Sequence, residues 1–397
     1  MLTALINWIL LVLLGVPVLY FALFSLAALC RPAGNSSGRV AGKRPGGEES
    51  LAPEAEPAVL HRFAVLIPAY KSDACILETA LSASAQDYPR ECFRVLVISD
   101  SMRADTVDGL RAAGIEVLEV SFENSTKAKS LSRAMAYLGP DAADAVVILD
   151  ADNLVEPGFL PGLNASFRPG TALQAHRTAK NRDTGVAVID AASEEINNSV
   201  FRRGHNALGL SSALIGSGMA FDYAWFLANA DSFCTAGEDK EMELRLLRDG
   251  IYVTYLPDVP VLDEKTRTQG NYYNQHRRWT ASQYHLLAGA VKQFGAVRDK
   301  LGYADKLLQW LFLPRMVLVA LVPLMALAMS FIHLGFALAW WGLSVLLAVS
   351  MVLAVPRAQR DRRLLRALVR VPLLALMSAA NLFRMKGTKD KFIHTEH

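Results

Sequence analysis

The chain has 397 residues, of which 52% are hydrophobic and 20% charged, and its formal net charge is +3. This composition is too apolar for an ordinary soluble protein, so membrane segments are expected. The small net charge gives no basis for nucleic-acid binding, so we predict no nucleic-acid partner. The four cysteines, at positions 30, 75, 92 and 234, lack C-x-x-C spacing, which fits a reducing compartment without a zinc site.

The first predicted element is a membrane anchor over residues 1–30. Trp8 to Cys30 is almost unbroken apolar sequence, long enough to cross a bilayer as a helix. No basic stretch precedes it and no small-x-small cleavage site ends it, which argues against a signal peptide. Basic residues follow it: Arg31, Arg39, Lys43 and Arg44. The positive-inside rule therefore places the following chain in the cytoplasm, beginning with a flexible Gly/Pro/Ser/Glu-rich linker over residues 31–60.

Residues 61–300 alternate between short β-rich runs and amphipathic stretches. FAVLIPAY, FRVLVISD, IEVLEV and AVVILDAD are predicted strands separated by helices. This alternation predicts an α/β domain with a mostly parallel sheet, whose ligands bind at the carboxyl ends of the strands. Those ends carry Pro68-Ala69-Tyr70, Asp100 and the pair Asp150/Asp152. No G-x-G-x-x-G or Walker lysine motif is present, so we expect a nucleotide held by carboxylates and a metal.

The pair Asp150 and Asp152 ends the strand AVVILDAD. Residues i and i+2 of a strand share a face, so the two carboxylates converge and repel each other. A divalent metal is the commonest way to offset that repulsion. A strand end followed by a helix-capping Asp would give the same letters, and D-x-D also arises by chance. The motif alone leaves both interpretations open.

Two polar helix starts are further candidates. Lys127 opens the helix before the D-x-D strand, where it could neutralise phosphates or lie in a solvated first turn. Glu238 and Asp239 open the helix EDKEMELRLLRDG. There they could be an acidic cap that the helix dipole favours, or they could include a general base.

The segment NQHRRWTASQ carries a third candidate set. Gln275, Arg278 and Trp279 share one face of a helix and suit a sugar hydroxyl, a phosphate and a sugar ring. A basic aromatic helix leading to the membrane would look similar.

The C-terminal part contains two further candidate spans within residues 305–355. They are residues 311–330 and 334–355, separated by a short connection that implies an antiparallel pair. The arginine-rich stretch PRAQRDRRLLRALVR follows on the predicted cytoplasmic side. We predict that residues 356–397 form a basic interfacial helix (364–385) and a cytoplasmic tail, rather than a fourth span.

Taken together, these motifs resemble the membrane-bound family 2 glycosyltransferases, which include cellulose, hyaluronan and poly-N-acetylglucosamine synthases. The resemblance covers about residues 62–355. IPAY resembles the nucleoside-contacting turn, and VISDSMRADT resembles D-D-G-S-x-D, which would place Asp100 at the uridine. KAKSLSRAM resembles K-A-G-A-L-N-x-A, which matches Lys127 to the diphosphate-contacting lysine.

The remaining family motifs follow in the same order. LDAD is similar to the D-x-D metal motif, and GSGMAF, with Gly216, Ser217 and Gly218, is similar to the acceptor-side loop. GEDKEMELRLLRDG resembles the T-E-D block, and QHRRW fits Q-x-x-R-W. The chain departs from the family pattern at three places: Lys71-Ser72 replace Asn-Glu, Gly237 replaces Thr, and Ser132 replaces Asn.

The resemblance implies a GT-A-type domain that binds a UDP-sugar with Mg²⁺ or Mn²⁺ at Asp150 and Asp152. It implies that Asp239, beside Glu238, is the general base of an inverting transfer that forms a β-linkage. Lys127 and Arg278 would stabilise the leaving group. Gln275, Trp279 and residues 216–218 would contact the acceptor.

The product and the partners follow less directly from the resemblance. We expect polysaccharide synthesis, with single-sugar transfer to a lipid-linked acceptor and a non-catalytic synthase subunit as alternatives. The expected partners are the UDP-sugar, a saccharide or lipid-linked acceptor and membrane lipids, and a second copy or a synthase partner stays open. The expected location is a bacterial inner membrane with the catalytic domain in the cytoplasm.

Overall fold

The computed structural model describes residues 2–30, 59–235 and 237–383. The linker predicted over residues 31–60 lies outside the described residues except for its last two positions. The predicted tail beyond residue 383 lies outside them as well.

Eight strands form a single sheet in the described part of the chain. They are β1 (Phe63–Tyr70), β2 (Phe93–Asp100), β3 (Glu116–Val120), β4 (Ala145–Ile148), β5 (Leu154–Val155), β6 (Ala172–Ala179), β7 (Met219–Asp222) and β8 (Val253–Asp263). Their order is β3-β2-β1-β4-β7-β6-β8-β5. Pairs among β1 to β4 are parallel, as is β6 with β8, whereas β7 pairs antiparallel with β4 and β6, and β5 with β8. The predicted α/β class is confirmed, with antiparallel pairs added in the second half.

Helices surround this sheet and continue beyond it. Those before β8 are α1 (Leu2–Cys30), α2 (Ile76–Ser84), α3 (Ala104–Ala112), α4 (Lys127–Leu138), α5 (Phe159–Ser166), α6 (Gly185–Asn197), α7 (His205–Ala207), α8 (Tyr223–Asn229) and α9 (Glu238–Asp249). Those after it are α10 (Gln269–Gln293), α11 (Lys300–Leu311), α12 (Arg315–Ser330), α13 (Leu334–Ala354), α14 (Arg362–Ala367) and α15 (Val371–Phe383). A π-helical segment, Asn198–Gly204, joins α6 to α7.

The sheet is buried on both faces, which explains its continuous apolar strands. On β1, Val65 and Ile67 pack into one hydrophobic cluster, whereas Ala64 and Leu66 pack into another on the opposite face. The parallel register pairs Tyr70 with Asp100 at the carboxyl ends of β1 and β2. The fold therefore gathers the predicted strand-end residues along one edge.

A helical bundle packs beside the sheet domain. Three helices, Ala4–Cys30, Leu334–Ala354 and Arg362–Asn381, are long and apolar enough to cross a membrane, and α11 with α12 would form a fourth span bent by 63°. The predicted antiparallel pair corresponds to α12 and α13. The segment predicted to be interfacial begins at α14 and meets the same criterion of length and apolarity, so its interfacial placement stays a prediction.

Candidate active site

A cavity of about 250 Å³ lies at the carboxyl ends of β1, β2, β4, β6 and β8. It brings together residues that the sequence placed in seven separate motifs. Those that line it are Pro68, Ala69, Tyr70, Asp100, Lys127, Asp150, Asp152, Gly216, Glu238, Asp239, Gln275 and Trp279.

Asp150 and Asp152 form the floor of the cavity, just after β4. The backbone N–H of Asp150 donates to Asn153 Oδ1 (3.0 Å) and to Ser217 Oγ (3.3 Å), which fixes the turn. Asn153 Nδ2 donates to Asp152 Oδ1 at 3.2 Å. Burial, together with the neighbouring Asp263 and Asp150 carboxylates, raises the pKa of Asp152 to about 8.

This crowding of negative charge is the observation that tests whether a metal fits. A carboxylate whose ionisation is opposed by burial and by other carboxylates is stabilised by a bound divalent cation. In the described parts of the chain, no group of three or more His, Cys, Asp or Glu side chains is arranged to hold a metal. A two-carboxylate site still suits Mg²⁺ or Mn²⁺, since such ions take their other ligands from phosphates and water. The residues present therefore fit the predicted metal.

Lys127 lies at the first turn of α4, whose N-terminus Thr126 caps by accepting from Lys129 N–H. Lys127 Nζ donates to Asp150 Oδ1 and to the carbonyl oxygen of Gly216, and lies 3.9 Å from Glu238 Oε1. Burial alone would lower the pKa of Lys127, but the Asp150 and Glu238 carboxylates raise it above its ordinary value. The ammonium group therefore stays charged beside the D-x-D pair.

Glu238 and Asp239 begin α9, and both line the cavity. Burial, helped by the neighbouring Asp239 carboxylate, raises the pKa of Glu238 to about 7. The Lys127 ammonium group acts in the opposite direction. Asp239 Oδ1 accepts a hydrogen bond from the backbone N–H of Lys240 at 2.9 Å. Asp239 is partly exposed and borders the cavity, as a general base must.

The absence of the family threonine before Glu238 has a local cause. A Cβ atom at Gly237 would lie 2.9 Å from Ser282 Cβ of α10, closer than real contacts allow. The close approach of α9 and α10 therefore requires glycine at this position.

Asp100 is buried at the end of β2 and borders the same cavity. Its Oδ1 accepts from Ser101 Oγ at 2.9 Å, whereas Oδ2 has no hydrogen-bond partner among the described residues. A buried acceptor of this kind suits an N–H donor such as that of a nucleobase.

The predicted acceptor loop contributes only one of its three residues to the cavity. Gly216 borders it, with a left-handed φ of +86°. Ser217 is fully buried behind it and donates to Asn153 Oδ1. Gly218 packs so closely that a Cβ there would lie 2.9 Å from Val261 Cγ2. Ser217 and Gly218 thus support the floor rather than face a ligand.

Helix α10 forms the opposite wall. Gln275 and Trp279 line the cavity, and Gln275 Oε1 has no hydrogen-bond partner among the described residues. The side chain of Arg278 lies outside the described structure, so its contact with the donor stays a prediction.

A second cavity, of about 300 Å³, adjoins the first. The two share the lining residues Ile215, Asp239, Lys240 and Trp279. From there the second cavity extends between α6, α10 and α11 to residues of the helical bundle: Phe21, Phe312 and Leu313. Asp239 therefore stands where a molecule in the second cavity would meet one in the first.

Several buried charged residues at the site were not predicted from the sequence. Arg177 and Asp263 line the first cavity from β6 and β8, and Lys265 and Glu194 lie behind them. Asp263 carried a usable signal, since it is a carboxylate at a strand end. Arg177 gave no such signal. Its strand, β6, has the mixed sequence ALQAHRTA and lacks the apolar pattern by which the other strands were predicted.

Comparisons with known proteins agree with this geometry. The family described as Glycosyltransferase like family 2 matches residues 61–282. An N-acetylglucosaminyltransferase of Rhizobium leguminosarum bv. viciae is 24% identical, over 56% of this chain and 56% of the relative. The cellulose synthase catalytic subunit [UDP-forming] of Pseudomonas fluorescens (strain SBW25) is 24% identical, over 66% of this chain and 37% of the relative. The chain thus spans about half or less of the length of these curated relatives.

A solved structure shows the same fold. The mannosyltransferase from Pyrobaculum calidifontis, in complex with GDP-Man and Mn²⁺, superposes with a TM-score of 0.59 and 17% identity, over 97% of this chain and 100% of that one. The family match extends over more than half of the chain, and it contains every predicted catalytic and metal-binding position. The chain therefore belongs to glycosyltransferase family 2.

Proposed function

We propose that this chain is a membrane-bound, metal-dependent, inverting glycosyltransferase. It moves a sugar from a UDP-sugar to an acceptor hydroxyl and forms a β-linkage. The observation that carries this proposal is that Asp150, Asp152, Lys127 and Asp239 all line one cavity. Relatives named as an N-acetylglucosaminyltransferase and a UDP-forming cellulose synthase subunit support a UDP-sugar donor.

The donor would bind along the strand ends, with its base near Asp100 and its diphosphate near Lys127. Asp152, together with Asp150, would hold Mg²⁺ or Mn²⁺, which when bound supplies positive charge to the leaving diphosphate. Mn²⁺ in the mannosyltransferase structure supports a divalent metal. Lys127 would supply a second positive charge to the diphosphate. Its contacts with Asp150 and the carbonyl oxygen of Gly216 hold the ammonium group in position before the donor binds.

Asp239 is the proposed general base. It accepts the proton of the acceptor hydroxyl while that oxygen attacks the anomeric carbon from the face opposite the diphosphate. The carbon–oxygen bond to UDP breaks, and the configuration inverts. Glu238 shares the helix start and lies near Lys127, so we assign it to positioning that lysine.

The acceptor would enter through the second cavity, where Trp279 is placed to contact it near Asp239, and it would meet Gln275 in the first cavity. Polysaccharide synthesis stays the prediction from the motifs. The apolar wall formed by Phe21, Phe312 and Leu313 favours a second candidate, transfer to a lipid-linked acceptor. These residues belong to or border the hydrophobic cluster of the helical bundle, so an apolar tail could reach the cavity from the membrane.

A non-catalytic synthase subunit is the remaining alternative. A non-catalytic subunit would not need two metal-binding carboxylates, a lysine and a candidate base around one cavity. This chain has all of them, which argues against that alternative. The catalytic domain, by the charge pattern around the candidate spans, would lie at the cytoplasmic face of an inner membrane.

The deciding experiment measures UDP release by purified protein in detergent, across a panel of UDP-sugars with Mn²⁺ or Mg²⁺. We expect metal-dependent release with one sugar and no release by Asp152→Ala. Extracting the labelled product into organic solvent separates a glycolipid from a water-soluble polymer. Failure of the wild-type protein to bind UDP in the presence of metal would overturn the proposal.

A further inference from the structure

Beside the D-x-D pair lies a buried charged group to which the proposed reaction assigns no role. It consists of Arg177 on β6, Glu194 on α6, and Asp263 and Lys265 at the end of β8, with all four side chains at most about a tenth exposed. Burying charges is costly unless they are paired and hydrogen-bonded, so such a group needs a structural or functional reason.

Asp263 reaches Asp152 through one amide. Its Oδ1 accepts from Asn153 Nδ2 at 3.1 Å, and the same Nδ2 donates to Asp152 Oδ1 at 3.2 Å. The other end of Asn153 accepts from the backbone N–H of Asp150. Because Asn153 is fully buried, the position of Asp263 determines where this amide, and with it the turn, can lie.

Asp263 also reaches Asp150 through a guanidinium. Arg177 Nη1 lies 3.7 Å from Asp263 Oδ1 and 3.9 Å from Asp150 Oδ2. Arg177 Nη2 donates to Glu194 Oε2 at 2.8 Å, and this bond fixes the other end of the guanidinium group. Lys265 Nζ joins Asp263 Oδ2 (2.8 Å) to Glu194 Oε2 (3.1 Å) and closes the group.

The cations of this group compensate Asp263 more closely than the D-x-D pair. Lys265 binds Asp263 directly, and Arg177 lies nearer to Asp263 than to Asp150. Asp152 accepts an amide N–H from Asn153. Asp263 is thus held by the cations of the buried group itself, which suits a residue that supports the metal pair from the side.

We propose that Asp263 is a positioning residue for the metal pair, acting on Asp152 through Asn153 and on Asp150 through Arg177. This inference rests on the proposed metal-dependent transfer. Partners that hold metal ligands in place typically change metal affinity or activity about 10–100-fold when they are mutated. Loss of Asp263 should therefore weaken metal binding without removing a ligand or the base.

The test is Mn²⁺ binding to the full-length protein with UDP, followed by electron paramagnetic resonance, together with UDP release titrated with Mn²⁺. For Asp263→Asn we expect a half-saturating Mn²⁺ concentration about 10–100-fold higher than wild type. Its kcat should recover at saturating Mn²⁺. The matched control is Asp258→Asn, the same change at an exposed position of the same strand, which should behave as wild type.

A purely structural role gives a different result, namely lower thermal stability and a kcat that excess Mn²⁺ does not restore. That result, or unchanged Mn²⁺ affinity in folded Asp263→Asn, would overturn the inference. If Asp263→Asn does not fold, Arg177→Lys is the second variant. It keeps the positive charge but loses the planar guanidinium group that contacts both Asp263 and Asp150, so it should also raise the half-saturating Mn²⁺ concentration. Absence of Mn²⁺ binding in the wild-type protein would instead count against the proposed function itself.

Discussion

Asp239 is the residue on which the proposed chemistry depends most. It lies at the boundary of the two cavities and makes a backbone hydrogen bond that fixes its carboxylate at the start of α9. For Asp239→Asn we expect kcat to fall about 10²–10⁴-fold, because a positioned base contributes that much. UDP affinity should stay at the wild-type level, since the substitution keeps size and removes only the proton acceptor. Calorimetric UDP binding beside UDP release measures both quantities, and transfer at the wild-type rate would contradict the assignment.

The site residues that could be predicted from the sequence are those that form a motif with their neighbours along the chain. Asp150 with Asp152, and Glu238 with Asp239, could be found because two polar residues interrupt an apolar run or begin a helix. Arg177 and Asp263 are far apart in sequence and meet only through the parallel pairing of β6 with β8. Local spacing carries no information on such a pairing. Ser217 was assigned to the acceptor because its motif was recognised, whereas its burial depends on contacts that only the fold shows.

Helix α10 illustrates how one element serves both the site and the stability of the protein. Its Gln275 and Trp279 line the first cavity, whereas His276 packs against Tyr272 with ring centroids 4.0 Å apart. The His276 Nε2 atom is shielded from solvent and has no hydrogen-bond partner in the described residues. Burial lowers the pKa of His276 to about 3.

This shift predicts a pH dependence of stability. In the unfolded chain a histidine binds its proton near pH 6.5, whereas folded His276 stays neutral down to about pH 3. Stability is therefore lost as pH falls below about 6.5, by about 1.4 kcal/mol at pH 5.5 from this group. His276→Gln should show a smaller fall in thermal midpoint between pH 7.5 and 5.5 than wild type. His285→Gln, on the exposed side of the same helix, is the control. An equal fall in all three proteins would contradict the prediction.

Helices and strands could be predicted where the pattern of apolar and polar residues within the element itself indicates its type. The four parallel strands β1 to β4 and the start of α9 follow from alternation and from acidic residues at a helix N-terminus. The antiparallel β7 was not predicted, since a short apolar strand carries no sign of its partner's direction. The π-helical segment after α6, which packs against α1, was not predicted from the sequence either.

At the scale of the whole molecule, buried polar contacts join the N-terminal helix to the sheet domain. The Tyr20 hydroxyl of α1 lies 2.7 Å from both His205 Nε2 and Asp305 Oδ1. Phe21 packs on Phe201, with centroids 5.8 Å apart. The Lys306 ammonium pairs with Glu243 of α9, so α11 is fixed to the same domain. The catalytic domain therefore lies against one end of the helical bundle.

This arrangement gives α12 and α13 a definite direction. The start of α12 adjoins α11, and the end of α13 leads to the arginine-rich segment over residues 357–370, which packs on α6. The short turn between them, residues 331–333, is thus at the far end of the hairpin. If the bundle spans the membrane with its basic end in the cytoplasm, the turn and the catalytic domain lie on opposite sides.

Thiol labelling tests this topology. Cys234 is exposed on the catalytic domain, and the variant Cys30→Ser/Cys75→Ser/Cys92→Ser leaves it as the single cysteine. We expect a membrane-impermeant maleimide to label Cys234 in inverted inner-membrane vesicles and not in intact spheroplasts. Ile332→Cys, at an exposed position of the far turn in a protein without the native cysteines, should show the reverse pattern. Labelling of both sites from the same side would mean that the hairpin does not cross the membrane. Labelling of Cys234 from outside only would invert the proposed orientation, and would place UDP-sugar transfer on the side of the membrane that has no cytoplasmic nucleotide-sugar supply.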